Sequence, residues 1–565
     1  MRGTTLVLVV VATTVALAAT GCGGSSSSNG STATIATGGA NGQTPASGKV
    51  QGGTARFNLS TDTDYVDPAL AYYAVSWQFE YATCAKLLNY PDQTGSVGSQ
   101  LRPEVASELP KISADGKTYT FTLRDGFKFS PPSNAPVNAQ TFKFVIDRVL
   151  NPKLQSPGAQ FITDIAGAED VLNGKAKSAS GVVASGKTLT IHLTKKAPDF
   201  LARIAMPFFC AVPISTPVDP NGVQTVPGAG PYYVASWTPK RQLVLERNPN
   251  YTGSRPHNLD KIVYTIGVPL AATALEIQKG EADYAADGLP PNVQSQLGAK
   301  YGPGSKAAQA GKQQYFVNPI LSFRYLGLNT SRPLFANVNL RKAVSFALDR
   351  HALLLQRGAF AGSPTSHYLP PGIAGSSSEQ PYPLTAPDFA KAKQLAGPGK
   401  HGTAVMYTCN LSPCPETAQI VQQNLKQIGI DVTVETYARA VQFTKEGVKG
   451  EPFDIAFDGW QADYADPYDF INVLLDGNSI HSSNNVNFSY FDDPTYNKRM
   501  EQAAGLAGPA RAKAYGQLDI DIAKNASPLA AWGNDNQRDF FSSRVGCQLF
   551  QSVYTMDIAA LCLRK

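Results

Sequence analysis

The sequence of 565 residues has little charge of either sign in any one place and lacks the motifs of the common hydrolases. The lysines and arginines are scattered without a long basic block, and the formal net charge is only +6, so nucleic-acid binding has little support. Gly-x-Ser-x-Gly, His-Glu-x-x-His and Ser-x-x-Lys motifs are all absent, which makes a secreted hydrolase the weaker interpretation. We therefore do not expect an enzyme.

Metal-ligand patterns are missing as well. The sequence has no Cys-x-x-Cys pair and no His-x-x-x-His pair, and its histidines are dispersed. We expect no bound metal and no cofactor. The histidines are His192, His257, His351, His367, His401 and His481.

Only the N-terminus carries a long apolar run. Met1-Arg2-Gly3 is followed by an uncharged stretch from Leu6 to Ala19, which is short for a permanent membrane helix and typical of a secretory signal. Small residues then precede Cys22, as in a bacterial lipobox, where the thiol is diacylated and becomes the mature N-terminus. Two or three acyl chains give lasting attachment to a membrane. The alternative is an ordinary cleaved signal with an incidental cysteine.

The segment after Cys22 is polar and rich in glycine and serine. Residues 22–53 contain almost no apolar bulk, so we predict a lipidated cysteine followed by a flexible tether. The rest of the chain is long enough to require several lobes. We expect the protein on the extracytoplasmic face of the cell membrane, held by its lipid.

Strand-like and helix-like segments intermix along the remaining chain. Alternation predicts strands near Thr54, at 118–123, 188–193, 242–246 and 430–434, with turns at Asp115-Gly116 and at Asp125-Gly126, the second of which suggests a hairpin. Helical periodicity covers 339–356 and 416–428, and a further helix begins after Asp493 and runs to about Ala504. This mixture indicates α/β lobes.

Six cysteines remain once Cys22 is set aside, an even number for an oxidising compartment. The sequence alone cannot choose among their possible pairings. We favour Cys409–Cys414, which closes a tight loop, and Cys547–Cys562 near the C-terminus; Cys84–Cys210 is what then remains.

Several motifs in series carry a family resemblance. The stretch from Gly230-Pro231-Tyr232-Tyr233 to Asn248-Pro249-Asn250-Tyr251 resembles the signature of the family 5 extracellular solute-binding proteins, the oligopeptide- and dipeptide-binding components of ABC importers. Residues 115–129, 340–350 and 454–467 are similar, in the same order, to the early hairpin of that family, its Arg-x-Ala helix and its Gly-Trp…Asp-Pro block. The resemblance covers about residues 54–565.

The resemblance implies a two-lobed periplasmic-binding-protein-like α/β fold of the large, cluster C type. Residues 1–21 would be the signal peptide, and lobe I would comprise 54–90, 205–318 and 522–565. An inserted subdomain would take 91–204, and lobe II 319–521. A hinge near 318 and 522 would let the lobes close around a solute. The closed form would then dock on an ABC permease, whose partner ATPase supplies the energy.

The same resemblance suggests ligand-binding residues. Asp463, shortly after Gly459-Trp460, stands where peptide-binding members hold the ligand's α-ammonium group; its alternative role is a turn cap or a partner for an arginine. Trp460 would face the ligand or else lie in the core. Tyr72 and Tyr73 cannot both face one core, so one would line the cleft or be a plain surface residue. Arg439 would meet a ligand carboxylate or be a solvated surface residue. Asp466, before Pro467, is expected to set a turn.

We therefore expect an extracytoplasmic lipoprotein that captures peptides by lobe closure, acting as a monomer. Another solute on the same fold remains open: a nickel chelate, an oligosaccharide or an opine-like amine. A sensory receptor with the same binding fold is a further alternative.

Overall fold

The computed structural model describes residues 49–564. The predicted signal peptide, Cys22 and most of the predicted tether lie outside the described residues. The strands and helices intermix along the chain, as the sequence predicts. The strands are Lys49–Val50 (β1), Thr54–Leu59 (β2), Leu88–Asn89 (β3), Arg102–Pro103 (β4), Lys111–Ile112 (β5), Thr118–Thr122 (β6), Val182–Ser185 (β7), Thr188–His192 (β8), Tyr232–Thr238 (β9), Gln242–Arg247 (β10), Lys261–Ile266 (β11), Tyr284–Ala285 (β12), Tyr315–Pro319 (β13), Ser322–Leu328 (β14), Gly362–Ser363 (β15), Gly402–Cys409 (β16), Ile430–Tyr437 (β17), Ile455–Gln461 (β18), Leu529–Phe540 (β19), Val545–Gly546 (β20), Phe550–Gln551 (β21), Thr555–Met556 (β22) and Cys562–Arg564 (β23). The helices are Ala74–Thr83 (α1), Gly95–Gly98 (α2), Ala139–Leu150 (α3), Ala168–Leu172 (α4), Phe200–Arg203 (α5), Leu270–Lys279 (α6), Gln294–Tyr301 (α7), Lys306–Gln309 (α8), Pro333–Ala336 (α9), Val338–Ala347 (α10), Arg350–Gln356 (α11), Phe389–Ala396 (α12), Cys414–Lys426 (α13), Arg439–Glu446 (α14), Tyr468–Leu475 (α15), Pro494–Ala504 (α16) and Gly508–Asn525 (α17).

The predicted first lobe contains a mixed five-stranded sheet. Its strand order is β12-β2-β11-β10-β9, with β2 parallel to both neighbours and β9, β10 and β11 antiparallel. The Gly-Pro motif thus leads into strand β9, which forms a hairpin with β10. Phe57, Leu243 and Tyr264 are fully buried and pack in one cluster with the C-terminal Phe541.

The predicted inserted subdomain contains a four-stranded antiparallel sheet in the order β5-β6-β8-β7, covered by α3. Asn138 caps α3 in a reciprocal capping box with Thr141, which fixes where the helix begins. Strand β6 pairs with β5 across the Asp115-Gly116 turn and with β8 on its other side. The hairpin therefore closes at the first predicted turn and not at Asp125-Gly126.

The largest sheet has the strand order β13-β19-β14-β18-β16-β17, with β15 also paired to β19. Strands β14 to β18 lie in the residues predicted for lobe II, and β19 lies in those predicted for lobe I. Strand β19 is the longest in the described part of the chain. Its first half pairs with β14 and its second half with β13. The domain boundaries remain a prediction, and the crossings that it places near residues 318 and 522 lie in β13 and α17.

The predicted start of a helix agrees with the structure where a capping residue lies close in sequence. Asp493 accepts hydrogen bonds from the backbone N–H groups of Thr495 and Tyr496, so α16 begins at Pro494 as predicted. The predicted helix over 339–356 is instead two helices. It breaks at Leu348–Asp349, because Leu348 has an extended backbone and Asp349 caps α11 through the Ala352 N–H.

Candidate functional site

The segment that precedes α1 is fixed by two aspartates, of which Asp67 is buried and Asp64 half-buried. The Asp64 carboxylate accepts hydrogen bonds from the backbone N–H groups of Tyr72 (2.6 Å) and Tyr73 (3.1 Å). Asp67 forms a buried bidentate ion pair with Arg148 of α3, at 2.6 and 2.9 Å. Both tyrosines are thereby held in place at the start of α1, half-buried, without support from strand pairing.

Tyr72 reaches the predicted second lobe. Its hydroxyl donates a hydrogen bond of 2.6 Å to Oδ2 of Asp463, which is 391 residues away in sequence. Asp463 is only 6% exposed. Three of the predicted ligand-binding residues therefore lie together, because Trp460 is held beside Asp463 by a shared partner.

That partner is Asp469, in the first turn of α15. Asp469 Oδ2 accepts hydrogen bonds from the Asp463 backbone N–H (2.9 Å) and from the Trp460 indole N–H (3.2 Å). Asp469 is fully buried. Sequence reasoning missed it, although an acidic residue early in a helix that follows Asp466-Pro467 was a usable signal.

Burial controls the ionisation of Asp463 and Asp469. It raises the pKa of Asp463 to about 7, against which the Tyr72 hydrogen bond acts. Burial and the nearby Asp463 charge also raise the pKa of Asp469 well above its usual range. The site therefore concentrates acidic groups in a poorly hydrated place, where a cationic ligand group would be stabilised.

Aromatic rings form one side of the site. Tyr72 packs against Trp77 (5.6 Å between ring centroids) and Phe208 (5.2 Å), and Trp77 also contacts Tyr554. Trp77 is fixed by an indole hydrogen bond to the Ala71 carbonyl oxygen. Trp77 and Phe208 were not predicted, because they come from distant segments that carry no motif.

Arg439 and Tyr73 form a second group. Arg439 is exposed at the start of α14, and its charge acts on the Tyr73 phenol, opposing the rise in the pKa of Tyr73 that burial causes. Its guanidinium lies 3.5 Å from Cys409 Sγ and 5.8 Å from the centre of the Phe443 ring. Arg439 has no carboxylate within ion-pair distance in the described part of the chain.

Asp466 has a structural role here. It accepts a hydrogen bond from the Tyr468 N–H and forms an ion pair with Arg511 at 2.6 Å. The expectation that it sets the turn before α15 agrees with this geometry.

The six remaining cysteines lie in the pairs that the sequence analysis favours. The Cα–Cα distances are 5.3 Å for Cys84 and Cys210, 5.5 Å for Cys409 and Cys414, and 5.4 Å for Cys547 and Cys562. These separations suit disulfide bonds. Their oxidation in the mature protein stays a prediction.

One stretch of the sequence matches a pattern that is typical of nucleotide-binding proteins. Residues 181–188 read Gly-Val-Val-Ala-Ser-Gly-Lys-Thr and match the phosphate-loop pattern G-x-x-x-x-G-K-[ST]. A phosphate loop joins a strand to a helix, whereas these residues form β7, a tight turn and β8 of an antiparallel hairpin. The pattern therefore has no helix N-terminus on which phosphate could bind.

Residues 49–564 contain neither a metal-binding cluster nor a membrane-spanning helix. No group of three or more His, Cys, Asp or Glu side chains is arranged to hold a metal ion in that range. No helix there combines the length and the apolar composition needed to cross a membrane.

Solved structures share this fold. An oligopeptide-binding protein 2 of clavulanic acid biosynthesis superposes with a TM-score of 0.82 at 24% identity, covering 92% of this chain and 96% of its own. The ABC transporter-associated periplasmic binding protein DppA of Helicobacter pylori, solved in complex with a peptide, gives a TM-score of 0.74 at 23% identity, covering 91% and 99%. The chain thus has the two-lobed α/β fold of periplasmic binding proteins.

Sequence comparison identifies the family. Residues 100–482 match the bacterial extracellular solute-binding proteins, family 5 Middle, and the chain belongs to that family. It is 26% identical to the periplasmic oligopeptide-binding protein OppA of Escherichia coli K12, over 72% of this chain and 76% of that protein. It is 27% identical to the dipeptide-binding protein DppE of Bacillus subtilis 168, over 77% and 79%.

Proposed function

We propose that this protein captures peptides on the extracytoplasmic side of the membrane and delivers them to an ABC import permease. Its family membership supports a solute-binding role, and similar proteins are named for oligopeptides and dipeptides. Closure of two lobes about a hinge near residues 318 and 522 would trap the peptide. Closure must be driven by contacts that the peptide makes only in the closed form.

The Tyr72–Asp463 hydrogen bond carries this proposal. It joins a segment of the predicted first lobe to one of the second through a buried carboxylate. A peptide's α-ammonium group bound by Asp463 would give this buried carboxylate a positively charged partner. Trp460, oriented by Asp469, would flank the bound group.

Arg439 is the group we assign to a ligand carboxylate. It is exposed, it is free of carboxylate partners among residues 49–564, and Tyr73 lies near enough to sense its charge. A bidentate guanidinium–carboxylate contact would fix the other end of a short peptide.

We further propose that diacylated Cys22 anchors the protein, with residues 22–53 as the tether. Attachment would keep the receptor near its permease at high local concentration. A soluble mature chain in which Cys22 carries no lipid and reacts as a free thiol with an alkylating reagent would contradict the anchor.

The first test identifies the natural solute. The full-length chain, purified in detergent without added ligand, is measured by native mass spectrometry and then denatured to release what co-purified. Peptides of a narrow length range are expected. A metal chelate, a sugar or an opine-like amine in their place would keep the family and replace the solute.

The second test addresses Asp463. Asp463→Asn keeps the shape of the side chain and removes its charge, so peptide affinity should fall by about tenfold or more, or at least 1.4 kcal/mol. Isothermal titration calorimetry measures this, with the exposed Asp170→Asn as a control of equal charge change. Unchanged affinity with a normal melting curve would remove Asp463 from the site.

A further inference from the structure

The carboxyl ends of three parallel strands meet at one edge of the largest sheet. Strand β16 runs parallel to β17 and to β18, and Arg439 and Asp463 follow the ends of β17 and β18 by two residues. Strand β14 is antiparallel to β18, so its first residues lie at this same edge. Ligands of open α/β sheets bind at the carboxyl ends of the strands, which makes the residues around this edge candidates for ligand contact.

Arginines collect at this edge around one carboxylate. Arg324 of β14 donates to Asp535 Oδ2 from both Nε and Nη2, each at 2.6 Å. Arg357, the residue after α11, reaches the same oxygen at 3.3 Å. Asp535 is 4% exposed, and its backbone N–H donates to the hydroxyl of Ser322, the first residue of β14. Two guanidinium groups therefore share a single oxygen of one buried carboxylate.

The positive charge around Asp535 exceeds the negative charge. Burial would raise the pKa of Asp535, but the charges of Arg324 and Arg357 outweigh it and lower that pKa below its usual value, so the carboxylate is ionised at neutral pH. Burial lowers the pKa of Arg357 to about 9, which still leaves it protonated at neutral pH. The charges of Arg324, Arg538 and Arg439 act on that pKa in the same direction. An anionic group that entered here would be attracted by several cations at once.

Arg357 has hydrogen-bonding capacity that the fold does not use. Its Nε is buried and has no hydrogen-bond partner among residues 49–564, and its contact with Asp535 is longer than those of Arg324. A guanidinium binds a carboxylate best through two parallel hydrogen bonds. Arg538 donates to the carbonyl oxygens of Arg357 and Ala359, which holds the segment after α11 in place.

Solvent reaches this group of arginines. The side chains of Arg324 and Arg357 are 27% and 19% exposed, and Arg439 is exposed. The group is therefore open to a ligand that lies along the edge of the sheet. Arg324 is engaged by Asp535 through two nitrogens, so Arg357 is the member that is free to turn towards a second carboxylate.

We propose that Arg357, supported by Arg324, binds the carboxylate of an acidic side chain of the ligand, so that the protein prefers peptides that contain glutamate or aspartate. This rests on the proposed function, because it presumes a peptide whose ammonium group is held at Asp463 and whose terminal carboxylate is held at Arg439. Arg439 lies near enough for its charge to act on Arg357, so the acidic residue would stand at or next to the C-terminus of the peptide.

The test compares matched peptides on the full-length chain by isothermal titration calorimetry. Alanine peptides of two to five residues carry a single glutamate at each position in turn, and each is paired with the glutamine peptide of the same length, which has nearly the same shape and lacks the charge. At one position near the C-terminus glutamate should bind about tenfold tighter than glutamine. In the variant Arg357→Gln this preference should fall to near onefold.

The control is Arg241→Gln. Arg241 is exposed in the turn between β9 and β10, and its change removes the same charge far from Arg357 along the sequence. The glutamate preference should survive in it. If Arg357→Gln does not fold, Arg357→Met takes its place, because methionine removes the charge and keeps an unbranched side chain beside the Trp532 ring.

The outcomes separate this inference from the proposed function. Equal binding of glutamate and glutamine peptides at every position overturns the subsite and leaves peptide capture intact. A glutamate preference that persists in Arg357→Gln or Arg357→Met also overturns it, because another group then supplies the charge. A preference that Arg241→Gln removes as well overturns it too, because the net charge of the chain would then be the cause. Failure of every peptide, all-alanine peptides included, overturns both.

Discussion

At the scale of single residues, the environment of Asp463 decides when it is charged. The carboxyl is buried, it accepts a hydrogen bond from the Tyr72 hydroxyl, and burial raises its pKa to about 7. The Gly-Trp motif was enough to predict this residue from the sequence. The hydrogen bond between Asp463 and Tyr72 could not be predicted from sequence, because the two residues are brought together only by the tertiary fold.

This ionisation predicts how peptide affinity depends on pH. Below about pH 7 Asp463 is protonated in the free protein, so affinity should fall by about tenfold per pH unit. A peptide's α-amino group loses its proton above about pH 8, so the optimum should lie between about 7 and 8. Calorimetry from pH 5.5 to 9 measures the profile. An affinity that does not fall below about pH 7 would contradict the role of Asp463. In the Asp463→Asn variant the affinity should not fall on the acidic side.

The same group predicts a change in stability without ligand. Its folded-state pKa lies above that of an unfolded aspartate, so Asp463 destabilises the fold above about pH 7, and this effect disappears as the pH falls towards about 4. Asp463→Asn should therefore melt higher than the wild-type chain at pH 8, with a smaller difference at pH 5. Thermal melts of both, with Asp170→Asn as reference, decide this; a lower melting temperature at pH 8 would be the contrary result.

At the scale of elements, the glycine of the Gly-Trp motif has a packing reason. Gly459 of β18 lies opposite Arg324 of β14, and a Cβ at this position would come within 2.5 Å of Arg324 Cδ. Arg324 passes over the glycine to reach Asp535, which Arg357 also contacts. The glycine thus leaves room for an ion-pair network that joins β14, β19 and the end of α11.

Gly459→Ala should therefore destabilise the fold by about 1–3 kcal/mol, because Arg324 must move and leave buried Asp535 with one fewer partner. Urea unfolding measures the change. Gly505→Ala is the matched control, since its nearest neighbour would be 3.7 Å away and its backbone is helical. An effect of Gly459→Ala no larger than that of the control would show that Arg324 adjusts without cost.

Local elements were predictable where the signal lay within a few residues. Asp493-Pro494 gave the start of α16, and alternation gave β6, β8 and β10. The break between α10 and α11 was missed, because Asp349 caps the second helix within one continuous apolar pattern. The hairpin partner of β6 was also missed, since two turns of the same composition flank that strand.

At the scale of the whole molecule, family motifs predicted the fold, whereas the order of strands in the sheets did not follow from the sequence. Strand β2 lies between β11 and β12, and β19 lies between β13 and β14, so each pairing joins segments some two hundred residues apart. Such pairings leave no trace in local periodicity.

Lobe closure makes a prediction at this scale. Saturating peptide should reduce the radius of gyration measured by small-angle X-ray scattering, because closure brings the lobes together around the ligand. Asp463→Asn, at a peptide concentration that saturates only the wild-type chain, should retain the larger radius. Equal radii for the free and saturated wild-type chain would show that this protein binds without closing.

The C-terminal residues complete sheets that begin near the N-terminus. Strand β1 pairs with β23, and Phe541 stacks on Tyr284 at 4.5 Å beside β2. A ribosome must therefore finish almost the whole chain before the first lobe can acquire its final packing. Until then the strand edges of β2 and its neighbours lack their final partners, and unpaired edges of this kind favour aggregation.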